Sequence, residues 1–233
     1  LDTETTSTNA IEAELVGMSF AVTENEAYYV AVKPNREEAL KMVNIFKPLY
    51  EDPEIVKVGQ NIKYDYEVLH HYGVEIKGQM FDTMIAHYLI NPELHHGMDY
   101  MAETLLNYQT VHIEELIGPK GRNQKNMRDL DAKDIYEYAC EDADVTLKLK
   151  NVLEPKLKEV GAEKLFYDIE MPLVVVLADM ELTGVRLDTD ALQETSKLFS
   201  ERMHVYEQRI YKEAGETFNI SSPKQVGDIL FGK

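Results

Sequence analysis

Two carboxylates one residue apart, Asp2 and Glu4 in LDTETTS, stand at the start of the sequence. On a β-strand, side chains at i and i+2 share a face about 7 Å apart. Both acids would then point the same way and repel each other unless something positive lies between them. A hard divalent cation such as Mg²⁺ suits that place, because it takes oxygen ligands and is commonly held by one or two carboxylates together with a phosphate. Taken alone, Asp-x-Glu near a terminus is most often a solvated turn, so the metal reading needs further acids from elsewhere in the chain. Two segments offer them. In VGQNIKYDYEVL, Asp65 falls in the first turn of a helix that follows a strand, the place where open α/β sheets collect ligands. Asn61 and Tyr64 beside it supply an amide and an aromatic face, both suited to single-stranded nucleic acid. The bland account is an acid placed to complement the helix dipole. In YACEDADVT, Tyr138 and Asp142 are four residues apart and share one helix face, whereas Glu141 and Asp144 point away from it. Solvated surface acids would explain each segment separately. They do not explain Asp-x-Glu, Asn-x-x-x-Asp and Tyr-x-x-x-Asp occurring in that order, each on the element type the chemistry would use.

Those side chains need a scaffold of strands and helices. ELVGMSFAVT and AYYVAV are rich in β-branched and aromatic residues and are separated only by ENE, which predicts an antiparallel hairpin. NREEALKMVNIFKPLYE places Ala39, Leu40, Val43, Ile45, Phe46 and Leu49 at helical spacing behind Asn35 as a cap. A short strand is expected at EIVKVG, then a helix from about 61 to 72 ended by Gly73. DTMIAHYLINP, capped by Asp82, and MDYMAETLLNY read as two more helices, and the stretch from Gln109 to Arg128 as irregular. A long helix is expected from near Leu130 to about Val160, kinked or split at Pro155. Ser222 followed by Pro223 reads as the cap and first turn of a last helix. A hairpin followed by alternating strands and helices predicts an α/β mixed sheet flanked by helices, with a helical C-terminal segment.

The chain has 233 residues, 44% hydrophobic and 28% charged, which is enough to bury a core and typical of a globular protein. No run of 18 or more apolar residues occurs, so no membrane helix is expected. The single Cys140 cannot form an internal disulfide, which fits a reducing cytoplasm. Starting at Leu1, the chain is expected to be a piece of a longer protein. A net charge of -18 argues against broad duplex binding, which draws its affinity from Lys and Arg displacing counterions. A short contact through a metal-loaded pocket remains compatible, since two divalent cations would balance four carboxylates. The paired histidines His70-His71 and His95-His96 lack the frame of a zinc site, and no glycine-rich nucleotide loop is present. Lys120, Arg122, Lys125 and Arg128 form a basic island that reads as a solvated loop, with contact to DNA phosphates as the alternative.

With these pieces assembled, the chain resembles a known family. DTET, GQNIKYD and YACEDADVT resemble the three motifs of the DEDD 3′-5′ exonucleases in their tyrosine-bearing branch, as found in the proofreading domains of bacterial family A polymerases of the DNA polymerase I type. FDTMIAHYLINP and GPKGRNQ are similar to that family's connecting segments, and MELTGVRLD with FNISSPKQVGDILFGK to the opening of a polymerase domain. The resemblance implies a ribonuclease H-like exonuclease domain over residues 1–160 with a truncated first strand, and the incomplete helical start of a polymerase domain over 161–233. It implies two divalent cations, Mg²⁺ or Mn²⁺, held by Asp2, Glu4, Asp65 and Asp142, with Asp65 reaching its ion through water. Tyr138 would orient the attacking water together with Glu4. Thr3, Thr5, Gln60, Asn61, Tyr64 and Ile113 would contact a single-stranded DNA 3′ end, releasing 5′-nucleoside monophosphates as the editor for the remainder of the polymerase chain. Where the family usually carries a bulky apolar residue and an aromatic wedge, this chain has Thr8 and Ile113, which predicts a weaker grip. A non-catalytic scaffold and a ribonuclease D-like RNA exonuclease are the alternative functions.

Overall fold

The alternating apolar pattern of LVGMSFAVT and EAYYVA becomes two paired strands. In the computed structural model, which describes residues 1–232, β2 (Leu15–Thr23) and β3 (Glu26–Ala31) run antiparallel with Gly17 opposite Ala31. Their turn is only Glu24 and Asn25, tighter than the expected ENE, and Asn25 supplies the left-handed residue at φ 66°. The first strand, β1 (Asp2–Thr5), pairs antiparallel with β2, placing Glu4 opposite Gly17, with an irregularity between Glu4 and Thr5. Leu1 therefore precedes the strand instead of ending it, and the acidic stretch itself is the strand.

Chain order continues with α1 (Arg36–Glu51), β4 (Lys57–Gly59), α2 (Ile62–His70), β5 (Met80–Asp82), α3 (Thr83–Ile90) and α4 (Met98–Leu106). Asn35 caps α1 as expected, accepting from the Glu37 and Glu38 amides. Strand β5 was not expected. It is only three residues long, too short for a periodic signal, and exists because it lies parallel to β4 with Gly59 opposite Asp82. A 2.9 Å bond from Leu1 N to Val58 O links the two ladders. Antiparallel and parallel pairs flanked by helices make up the mixed α/β, ribonuclease H-like architecture.

The stretch from Gln109 to Arg128, expected to be irregular, contains a short helix α5 (Ile113–Ile117), and a 3₁₀ turn follows at Met127–Asp129. Helix α6 (Ala132–Glu159) then runs as one continuous 28-residue helix through Pro155, so of the kink or split expected there the split does not occur. The reason is packing: Leu149, Leu153 and Leu157 are fully buried on both sides of the proline, which outweighs one missing backbone hydrogen bond. A short α7 (Glu163–Leu165), a π turn at Phe166–Glu170 and α8 (Met171–Thr183) complete the first compact unit, Leu1–Thr183. Its main core joins Leu15 and Met18 of β2, Val43 and Tyr50 of α1, Val68 and Leu69 of α2, and the α6 leucines. A smaller cluster of Val16, Met127, Ile135 and Ala139 lies between β2 and the start of α6.

From Gly184 onward the chain forms a second unit. It comprises α9 (Thr189–Ala214), capped by Asp188 and ended by Gly215 at φ 77°, and α10 (Pro223–Phe231), capped by Ser222 as the sequence predicts. Neither helix buries a residue in the described chain. No helix among the described residues is long and apolar enough to cross a membrane.

Candidate active site

Strand geometry presents Asp2 and Glu4 on one side of β1, and helix periodicity presents Tyr138 and Asp142 one turn apart on α6. The two elements meet so that one carboxylate oxygen from each of Asp2, Glu4 and Asp142 lies within 4.8 Å of the others. Glu4 and Asp142 are buried, each 5% exposed, and Asp2 is half-buried. Asp65 lies in the first turn of α2, is 2% exposed, and accepts a 2.6 Å bond from Thr3 Oγ1. It falls outside the three-carboxylate group but opens onto the same cavity. That cavity, of about 600 Å³, is lined by every residue the sequence singled out: Asp2, Thr3, Glu4, Thr5, Gln60, Asn61, Tyr64, Asp65, Ile113, Tyr138 and Asp142. Thr8 also reaches its wall.

Like charges in a dry pocket are costly unless protonated or matched by a cation. Burial, then the neighbouring Asp2, holds the Asp65 and Asp142 carboxyls well above the usual carboxylate range. Glu4 is raised in the same way, by burial and then by Asp2, Asp142 and Asp65. Asp2 is raised by burial. No ion pair among the described residues involves any of the four, and the buried Glu4 Oε1 has no hydrogen-bond partner. An orphaned buried oxygen within a cluster of oxygen-only donors fits a hard divalent cation. Tyr138 is pushed far above the ordinary phenol range, first by burial and then by Asp142 and Glu4. It therefore stays protonated, with its hydroxyl beside the Asp142 carboxylate.

The surrounding shell fixes these groups. The Asp82 carboxylate is a positioning group that the sequence suggested only as a cap for α3. It does cap α3, accepting from Met84 N at 2.8 Å and Ile85 N at 3.1 Å. Its second oxygen also takes the Ile62 amide at 2.8 Å, tying down the start of the helix that carries Asp65. Asn61, just before that helix, adopts a left-handed conformation at φ 60°, which asparagine tolerates. Tyr64 OH contacts Thr5 Oγ1 and Ser7 O. Gln60 is held at both ends, donating to His96 O at 2.9 Å and accepting from Thr83 Oγ1. Beneath Glu4, Gly17 leaves room for the Tyr29 ring, which would lie 2.2 Å from any Cβ there.

A further wall comes from the segment leading into α6. Gln124, Lys125, Asn126 and Met127 line the cavity, a contribution the sequence reading did not assign to them. Asn126 Nδ2 donates to Thr6 O, and Arg128 donates to Leu15 O at 2.7 Å and Val32 O at 2.8 Å. The basic island is therefore not one solvated patch. Arg128 is a strut spent on the carbonyls of Leu15 in β2 and of Val32 just after β3, whereas Lys120, Arg122 and Lys125 are exposed.

Comparison with known proteins places this geometry among relatives. A family model described as 3′-5′ exonuclease matches residues 1–158. DNA polymerase I of Pseudomonas aeruginosa is 39% identical over all of this chain and 26% of its own length. DNA polymerase I of Chloroflexus aurantiacus is 36% identical over all of this chain and 25% of its length. The chain thus spans about a quarter of the curated relatives it matches. Among solved structures, the POL domain of Pol1 from M. smegmatis in complex with DNA primer-template and dNTP aligns with TM-score 0.73 at 21% identity, covering 94% of this chain and 35% of that one. Brucella melitensis NrnC with bound Mg²⁺ aligns with TM-score 0.63 at 22% identity, covering 78% and 84%. At these identities both structures speak to the fold alone.

Proposed function

The chain belongs to the 3′-5′ exonuclease family, and we propose that its acidic cavity removes nucleotides from single-stranded DNA 3′ ends as the proofreading part of a DNA polymerase I. In this reading residues 1–160 are the exonuclease domain and 161–233 the start of the polymerase domain that follows. One observation carries the proposal: oxygens of Asp2, Glu4 and Asp142 converge within 4.8 Å in a cavity that also contains Asp65 and Tyr138.

Asp2, Glu4 and Asp142 would hold one divalent cation, and Asp2 with Asp65 a second, with Mg²⁺ or Mn²⁺ as the ions. When bound, such ions would neutralise the carboxylates, activate water and stabilise the departing 3′ oxygen. The protein's own groups supply orientation. Tyr138 keeps its proton because it is buried beside carboxylates, so it acts as a donor that positions the attacking water with Glu4 and not as the base that deprotonates it. Thr3 fixes Asp65 by a direct hydrogen bond. Tyr64 offers a ring for a base to stack on, and Asn61 and Gln60 offer amides to the strand. Thr5, Thr8 and Ile113 line the path of the last nucleotides, and the small Thr8 leaves a looser wedge than a bulky apolar residue would.

The test is to incubate the full chain with a 5′-labelled single-stranded DNA and Mg²⁺ or Mn²⁺, beside Asp142→Ala and beside an RNA strand of the same sequence. Stepwise 3′ shortening of DNA that requires metal and Asp142 is the expected result. Equal degradation by wild type and variant would remove the catalytic reading, and faster attack on RNA would redirect it to an RNA exonuclease.

A further inference from the structure

Of the side chains lining the acidic cavity, Lys125 is the sole cation. The other three members of the basic island are accounted for differently: Lys120 and Arg122 do not reach the cavity, and Arg128 is committed to Leu15 O and Val32 O. Among the described residues, no ion pair or side-chain hydrogen bond takes up the Lys125 ammonium. The backbone that presents it is fixed. Lys125 N donates to Ile117 O at 2.9 Å, Gln124 Nε2 to Gly118 O at 3.1 Å, and Asn126 Nδ2 to Thr6 O. Lys125 is itself exposed, but unlike a lysine on a free loop its backbone is anchored on both sides in the wall of a cleft with four carboxylates.

Electrostatics gives that placement a purpose. Two divalent cations would at most balance the four carboxylates, leaving nothing to offset the phosphates of an entering strand. The phosphate that reacts belongs with the carboxylate cluster of β1, α2 and α6, so a cation carried on a separate segment of the lining serves another phosphate. We propose that Lys125 binds a non-bridging oxygen of a backbone phosphate of the substrate strand, adjacent to the one that reacts. A compact ammonium on a flexible stem takes such an oxygen as a point charge and reads no base. The assignment rests on the exonuclease reading above and adds a strand contact to it.

The experiment measures binding of fluorescein-labelled oligothymidylate and oligodeoxyadenylate by anisotropy across a KCl series with Ca²⁺ present. The proteins are wild type, Lys125→Ala, Lys125→Arg and the exposed control Lys120→Ala, with Tm recorded for each. Lys125→Ala is expected to weaken binding about three- to tenfold near physiological salt, equally for both sequences. It should also reduce the slope of log K against log salt by about 0.7, the value for one single-strand phosphate contact. Lys125→Arg should retain the slope and Lys120→Ala should leave it unchanged. In turnover with Mn²⁺, Lys125→Ala should raise KM and leave kcat within about twofold. A slope unchanged in Lys125→Ala, or lowered equally by Lys120→Ala, overturns the assignment. The exonuclease reading fails on a different result, the absence of metal-dependent 3′ shortening by wild type, which the binding slopes do not decide.

Discussion

The carboxylate floor of the cavity and the wall that residues 113–128 supply are built on opposite principles. The floor takes Asp2 and Glu4 from a paired strand and Asp142 and Tyr138 from the middle of a 28-residue helix. Regular elements hold its charges close together, where burial limits their screening by water. The wall, from Ile113 to Arg128, has one five-residue helix and a loop, tied by Asn126 and Arg128 to backbone carbonyls elsewhere in the unit. Chemistry demands preorganised charge, and rigid elements supply it at a cost in stability. Strand recognition requires only that a few groups stand near the path of a flexible polymer, which an anchored loop provides.

The largest expected difference is in turnover. Asp142→Ala should reduce exonuclease rate by on the order of 10³-fold or more, because it removes a group that works only together with its neighbours. A wall substitution producing an equal loss of kcat would erase the distinction between the two regions.

Next is stability against pH without metal. The folded-state values of Asp2, Glu4, Asp65 and Asp142 lie above their ordinary 3.8 to 4.5. Over that window the native state binds more protons than the unfolded chain, so stability is greatest at low pH and falls as pH rises through the raised values. Each unit of elevation corresponds to about 1.4 kcal/mol. In EDTA, Tm set by these groups should therefore drop from pH 5 to pH 8, while Asp142→Asn flattens the drop. Mn²⁺ should raise Tm more at pH 8 than at pH 5. A metal-free Tm that climbs across this range in wild type, and no less in Asp142→Asn, would contradict the floor's electrostatics.

On the wall side, Arg128→Ala removes two hydrogen bonds, to Leu15 O and Val32 O, and should cost about 2–3 kcal/mol in urea unfolding. The pH slope in EDTA should not change, since Arg128 is not among the charges the floor carboxylates feel most. Gly17→Ala pushes a Cβ against the Tyr29 ring under Glu4 and should cost about 1–3 kcal/mol. The smallest effect belongs to Ile113→Ala. A half-buried side chain at the wall is worth less than about 1 kcal/mol to a passing strand, so KM should rise less than about fivefold with kcat retained.

The acidic residues were legible in the sequence because each sits on an element with a short, strict period. Two residues along a strand and four along a helix fix which side chains share a face, so Asp2 with Glu4, and Tyr138 with Asp142, could be paired before any coordinates. Asn35, Asp82 and Ser222 were legible as caps for the same local reason, since an N-cap bonds amides two or three residues away. Pro155 does not split its helix because its local penalty is real but smaller than the burial of the leucines around it.

What the sequence determined alone was therefore local: faces, caps, the hairpin, and an ordered set of motifs pointing to metal-dependent nuclease chemistry. Tertiary structure alone decided three things. It made β5 a strand by giving it β4 as a partner, it let Asp82 hold the start of a helix twenty residues earlier, and it divided one basic island into a strut, a cavity-facing lysine and solvated charges. Each of those depends on a partner distant in sequence, and no periodicity along the chain encodes which distant carbonyl or carboxylate will fill the gap.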